Sequence, residues 1–157
     1  MIQRIPRLAR AHVPAGCAIV RVERMSPAFV KYHLDDGRAL HRFTRPEPTA
    51  HPHDHPWPFR TRILAGSYVE EVFTVLPDGS WTMTPAERVT GATYEIAATH
   101  IHRIVALPAG ECWTLVHAGP HERTTFFWRF GDLVERRPWN RRRWSVHRPV
   151  RRMARPL

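Results

Sequence analysis

No run of apolar residues in this chain approaches the ~20 needed for a membrane-spanning helix. The opening stretch MIQRIPRLARAHVPAGCAIV interrupts its apolar residues with Arg4, Arg7, Arg10 and prolines, and so lacks the apolar centre of an export signal. The expectation is a cytoplasmic protein without membrane association. Cysteine is scarce as well. Cys17 and Cys112 are too few for a disulfide framework, and neither belongs to a C-x-x-C pair, so both are expected to be reduced and packed. Long amphipathic helices and repeats of fixed period are also missing. Lysine is nearly absent, with Lys31 alone against twenty-three arginines, a ratio that reads as a compositional bias.

What is present is 157 residues at 43% hydrophobic content, enough for one domain with a real core. The formal charge of +10 is unevenly placed. Residues 1–135 hold Lys31, fourteen arginines and all fourteen acids, whereas RRPWNRRRWSVHRPVRRMARPL, residues 136–157, holds nine arginines and no acid. The body is nearly neutral and the tail carries the excess. A domain over 1–135 followed by an Arg-rich tail over 136–157 is therefore expected. The tail would make weak polyanion contacts, with Trp139 and Trp144 available for stacking on bases. It carries no nucleic-acid recognition motif.

Ten short segments rich in β-branched and aromatic residues follow one another: CAIVRVE, FVKYHL, ALHRFT, FRTRIL, SYVEEVFTVL, SWTMT, TYEIA, HRIVAL, CWTLVHA and TTFFWRF. Turn sequences separate many of them, among them DDG, AGS, LPDGS, VTGA, LPAGE and AGPH. This spacing predicts an all-β barrel or sandwich rather than βαβ units.

The stretch HPHDHPW, residues 51–57, puts histidines at every second position. In an extended chain such side chains share a face, about 6.6–6.8 Å apart at the α-carbons, close enough for two imidazoles to converge on one ion. Both His53 with His55 and His51 with His53 meet that requirement. A metal site needs a further ligand from another segment, for which His100, His102, His117 and His121 are the candidates.

The order of these residues resembles the two motifs of the cupins, Gly-x5-His-x-His-x3,4-Glu-x6-Gly and Gly-x5-Pro-x-Gly-x2-His-x3-Asn. With Gly66 closing the first motif, His53 and His55 take the histidine positions, Phe59 stands where the glutamate would be, and Glu47 occupies the opening glycine position. With Gly91 opening the second, Ala97 and Thr99 replace its Pro and Gly, His102 is its histidine, and Ala106 replaces its asparagine. The resemblance covers residues 38–130. It implies a cupin-like double-stranded β-helix, a jelly-roll barrel, with His53, His55 and His102 as ligands at its mouth. His51, His100 and His121 are left open as sources of a further ligand.

Three imidazoles without the glutamate leave a dication its full charge, which favours an anionic ligand in the open positions. The resemblance thus implies a divalent transition metal, iron(II) favoured, with nickel, manganese, zinc or copper as alternatives. The function expected is a mononuclear non-haem dioxygenase acting on a small anionic molecule. A non-catalytic ligand-binding or sensing cupin is the first alternative, and a nucleic-acid-associated protein using the basic tail is the second. Tyr68, Glu70 and His117 are the candidate catalytic groups, and Thr114 is a further polar candidate for the pocket. Trp57, Phe59, Thr61 and Ile63 share the parity of the ligands and should face inward, with Trp57 and Phe59 holding water away. Asp54 has the opposite parity and should support the site rather than ligate. A homodimer is compatible with the sequence.

Overall fold

The computed structural model describes residues 7–47 and 50–149. All ten β-rich segments form strands: β1 (Ile19–Ser26), β2 (Phe29–Leu34), β3 (Ala39–Phe43), β4 (Phe59–Gly66), β5 (Tyr68–Val75), β6 (Trp81–Arg88), β7 (Thr93–Ile96), β8 (Ile101–Ala106), β9 (Cys112–Ala118) and β10 (Phe126–Phe130). Two short strands follow, β11 (Val134–Pro138) and β12 (Ser145–Val146), and one short helix precedes them all, α1 (Arg7–Ala11). One sheet runs β1-β2-β3-β9-β4-β7 and another runs β6-β5-β8, with β10-β11-β12 forming a further three-stranded set.

The segment 51–55 joins the last two sets. His53 bridges His102 of β8 on one side and Phe127 of β10 on the other. Pro52 has no N–H to offer, so its carbonyl alone takes part, accepting from Trp128 N at 2.8 Å. The segment is therefore limited to a short pairing within the sheet.

With that segment counted as a strand, eight core strands run in chain order: β3, 51–55, β4, β5, β6, β7, β8 and β9. The first pairs with the eighth, the second with the seventh, the third with the sixth and the fourth with the fifth. That nesting is a double-stranded β-helix, the jelly-roll barrel that the resemblance implies.

Alternation along the strands sorts residues into an inner and two outer faces. On the outside of the first sheet, Val30, Tyr32, Leu40 and Trp113 pack against Ala9 of α1. On the outside of the second, Phe73, Ile101, Trp128 and Val134 form another cluster. Between the sheets, Ile63 and Cys112 of the first meet Tyr68 of the second, with Phe43, Tyr94 and Ile104 around them.

Gly66, the closing glycine of the first motif, has a structural reason to be glycine. Its φ is +69°, and a Cβ there would sit 2.1 Å from the Glu111 backbone oxygen.

The boundary expected at 135/136 falls inside β11. Phe126 to Phe130 pair with Pro138 to Val134, so Arg136 and Arg137 are ladder residues of the second sheet. Trp144 packs under Arg129, whose guanidinium carbon lies 3.9 Å from the ring centroid, and Arg137 lies 5.2 Å from the same centroid. Cross-strand partners fixed these residues in place, and a charge count along the chain is blind to such partners. Residues 150–157 of the expected tail lie outside the described residues.

Candidate metal centre

The pairing of 51–55 with β8 builds the site. His53 and His102 exchange both backbone hydrogen bonds, each 3.0 Å, so their side chains stand side by side on one face. His55 is two residues further along the same face, held by its N–H to Ala98 O at 3.0 Å. The three rings form a triangle, with centroids 5.2 Å (His53–His55), 4.9 Å (His53–His102) and 5.0 Å (His55–His102) apart. One nitrogen from each lies within 4.8 Å of the others. The structure thus brings together the three histidines that the sequence singled out.

Two observations test whether this donor set fits a metal. Among the described residues His55 Nε2 is buried and has no hydrogen-bond partner, a state that costs free energy unless something binds its lone pair or accepts its proton. His102 donates Nδ1–H to Glu70 Oε2, leaving its other ring nitrogen for the cluster. A carboxylate on the outer nitrogen fixes tautomer and ring orientation, as is usual around a metal-bound histidine. The residues fit a divalent transition metal.

Burial and electrostatics favour neutral donors. Burial, followed by the neighbouring His102 and Lys31, pushes His53 down to about 3. Burial, and then His102 and His53, holds His55 well below the usual histidine range. A neutral imidazole has a lone pair to give.

Glu70 is fully buried on β5, diagonal to His102, whose register partner is Val72. Burial opposes its ionisation, but His100 and His102 outweigh that and hold its carboxyl well below the usual range. Arg88 completes the environment, with Nε 2.7 Å from Glu70 Oε1. His100 Nε2 lies 3.4 Å from the same oxygen, misaligned for a hydrogen bond and otherwise without a partner. Glu70, His100 and His102 form a second group close enough to share an ion. Glu70 is already committed to Arg88 and His102, so the three-histidine set has the freer donors.

The other candidates are placed as follows. Tyr68 is buried between the sheets near Phe43, and burial pushes its hydroxyl above the usual range, so it stays a neutral phenol. Thr114, Thr61 and Ile63 are buried. His117 is exposed beside Arg60 on the outer face of the first sheet, since odd positions of β9 point away from the barrel. The structure does not bring it to the cluster. His51 and His121 are also exposed, His51 against Trp144 and His121 near Trp57. Phe59 meets His55 edge-on at 4.8 Å, where the resemblance has a glutamate. Among the described residues Asp54 hydrogen-bonds to no imidazole. It is fully buried and accepts from Phe126 N at 2.6 Å, Trp128 Nε1 at 3.1 Å and the Arg123 guanidinium at 3.1 Å.

Two groups escaped the sequence reading. Lys31 and His41 occupy the inner face of β2 and β3, paired in register with each other and with Thr114. The alternation of FVKYHL, which buries Val30, Tyr32 and Leu34, marks Lys31 as facing the other way. Two open clefts, both lined by Phe73 and Trp128, lie elsewhere, and one of them reaches the cluster only at His100.

No protein-family model and no curated protein matches this chain. Among solved structures it is similar to a cupin-superfamily sugar phosphate isomerase from Silicibacter pomeroyi (15% identity, 85% of this chain and 92% of that one, TM-score 0.48). It is also similar to the polyketide cyclase RemF from Streptomyces resistomycificus (24% identity, 76% and 83%, TM-score 0.43). A third likeness is to hydroxypropylphosphonic acid epoxidase from S. wedmorenis (11% identity, 61% of this chain, TM-score 0.46), where the match spans about half, 53%, of the epoxidase. These likenesses are loose, and the architecture rests on the strand pairing itself. That pairing and the cluster define a double-stranded β-helix with three histidines at its interior. No helix among the described residues is long and apolar enough to cross a membrane.

Proposed function

We propose that the chain is a mononuclear metal-dependent enzyme of the non-haem dioxygenase type, acting on a small anionic molecule inside the barrel. The observation that carries this is the unpartnered Nε2 of His55 beside His53 and the Glu70-bound His102. His53, His55 and His102 would hold the metal, with iron(II) favoured. A bound dication would supply Lewis acidity and a place to align two reactants.

The chain's own groups define the rest. Glu70 orients His102 through Nδ1 and is itself neutralised by Arg88. Phe59 covers one side of His55 with a hydrocarbon edge, where a carboxylate would cancel charge. His53 and His55 are each partly exposed, unlike the fully buried Glu70 behind His102. Tyr68 and Glu70 are the polar groups on β5 nearest the reacting region in this reading. His117, exposed on the outer face, takes no part in it.

Elemental analysis tests the centre. About one divalent metal per chain is expected in the wild type, with loss in His53→Ala, His55→Ala and His102→Ala. Full occupancy in any two of these variants sinks the ligand set. Oxygen uptake by the iron(II)-loaded protein with a panel of small carboxylates and thiols then tests the reaction class. A metal-replete protein that consumes no oxygen supports the ligand-binding alternative.

A further inference from the structure

We propose that Lys31 receives the far end of the bound molecule. The ligand of the histidine cluster would then carry a carboxylate, or a similar anion, opposite its metal-coordinating head. This rests on the metal-centre reading above and names the substrate class for it.

The placement follows from register. Val30 and Tyr32 belong to the cluster beneath α1, outside the first sheet, so Phe29, Lys31 and His33 face the other way. Phe29 pairs with Phe43 and Phe43 with Cys112, and the last two pack against Tyr68 and Ile104 between the sheets. Lys31, His41 and Thr114 form the next row on that same inner face. From the second sheet, Glu70 and His102 enter the same interior, each two residues from Tyr68 and Ile104 respectively. The lysine and the histidine cluster therefore face each other across the barrel.

The ammonium has no carboxylate partner. Among the described residues no acid lies within 4.0 Å of it, and every basic member of an ion pair is an arginine or a histidine. Its register neighbour Glu23 is committed elsewhere, 2.8 Å from His33 and 3.4 Å from Arg21. The Phe29 ring, with its centroid 5.5 Å from Nζ, is the aromatic face beneath the charge. A partly buried cation without a counter-ion is costly, and an anion from solution offsets that cost.

Residue choice agrees with this. The chain's one lysine stands on the barrel wall, whereas exposed cations are arginines. Ammonium on a four-carbon stem is a compact charge that can swing toward a bound molecule, unlike the planar guanidinium fork. Phe29 and Phe43, stacked at 4.6 Å, line the wall beside it, and Phe59 lines the wall at His55. The ligand is thus a short molecule with a metal-binding head, an apolar middle and an anionic tail.

Calorimetry on the zinc-loaded protein tests this with two probe types. Alkyl hydroxamates offer only a metal-binding head, and the monohydroxamates of succinic, glutaric and adipic acids add a carboxylate at increasing reach. At one chain length the carboxylate should tighten binding by roughly 10- to 100-fold over the methyl-ended counterpart, the worth of a charge-assisted hydrogen bond. In Lys31→Met and Lys31→Gln that ratio should fall to near one. Zinc stoichiometry is measured in parallel. Failure to take up zinc overturns the metal centre and this inference with it. Zinc uptake and hydroxamate binding without a carboxylate preference, or with a preference that survives both substitutions, overturns the role of Lys31 alone.

Discussion

Alternate residues of one five-residue segment have opposite surroundings. On one face of 51–55, His53 and His55 are neutral and crowded, and His55 leaves a buried nitrogen with no partner. On the other, Asp54 is fully buried and meets three donors, while the Pro52 carbonyl receives Trp128 N. Buried polar atoms are almost always paired. The aspartate face obeys that rule and fixes the segment against β10. The histidine face breaks it one residue away on the same backbone, at His55, which points to chemistry rather than stability as the reason for that side.

The largest expected effect comes from breaking the satisfied face. Asp54→Ala strands the Phe126 and Trp128 N–H groups and frees a half-buried Arg123, which should cost about 3 kcal/mol in urea unfolding of the metal-free protein. His55→Leu, in contrast, replaces an unpaired polar atom by an apolar one and should be near neutral or stabilising in the same measurement. Equal costs for the two would dissolve the contrast.

Next in size is the link between the faces and the metal. Glu70→Gln keeps all three histidines yet weakens the hold on His102 Nδ1, so metal affinity by chelator competition should drop by roughly 10- to 100-fold. Unchanged affinity would mean that Glu70 serves Arg88 alone. Phe59→Glu works in the other direction. A carboxylate beside His55 should tighten metal binding about tenfold and weaken binding of anions, because it cancels charge. No change in either would place residue 59 outside the reach of the ion.

Periodicity along one strand made the His53 and His55 pair legible in the sequence, and the spacing to Gly66 survived because a backbone clash enforces glycine there. Ten strands were legible for the same local reason. Whatever depended on lateral pairing was not. Lys31 and His41 reach the barrel interior only through the β2–β3–β9 register, and Glu70 reaches His102 only across the β5–β8 ladder. His117 illustrates the converse. Its neighbours in sequence are strand-like, but the inward face of β9 belongs to Thr114 and Val116.

Acid should sharpen the contrast more gently. Burial, followed by the charges of Lys31 and His33, pushes His41 down to about 3, so in the fold it stays neutral where the unfolded chain is already protonated. Between about 6.5 and 3 the unfolded state binds more protons, so stability is full above that window and falls as the pH drops through it. The slope of metal-free stability over this range should flatten in His41→Leu. A slope unchanged by that substitution assigns the effect to the other buried histidines.

The smallest effect separates packed arginines from free ones. Arg129 and Arg137 stack on Trp144, and Arg136 covers Phe126 at 4.3 Å, so these guanidiniums are part of the second sheet's structure. Arg141, Arg142 and Arg143 are exposed and make no ion pair among the described residues. Only the free set can approach a polyanion without dismantling anything. Arg141→Ser, Arg142→Ser and Arg143→Ser together should leave unfolding within about 0.5 kcal/mol of the wild type. They should also lower the salt slope of heparin or DNA binding by up to ~0.9 per lost contact. Arg137→Ser should do the reverse, with a measurable loss of stability and a weaker effect on the slope, because its charge already lies over two aromatic rings. If the two sets behave alike, charge density along the chain governs polyanion contact and the packing of β11 is irrelevant to it. If only the free set moves the slope, the basic segment is divided much as 51–55 is, one part holding the fold and the other left available.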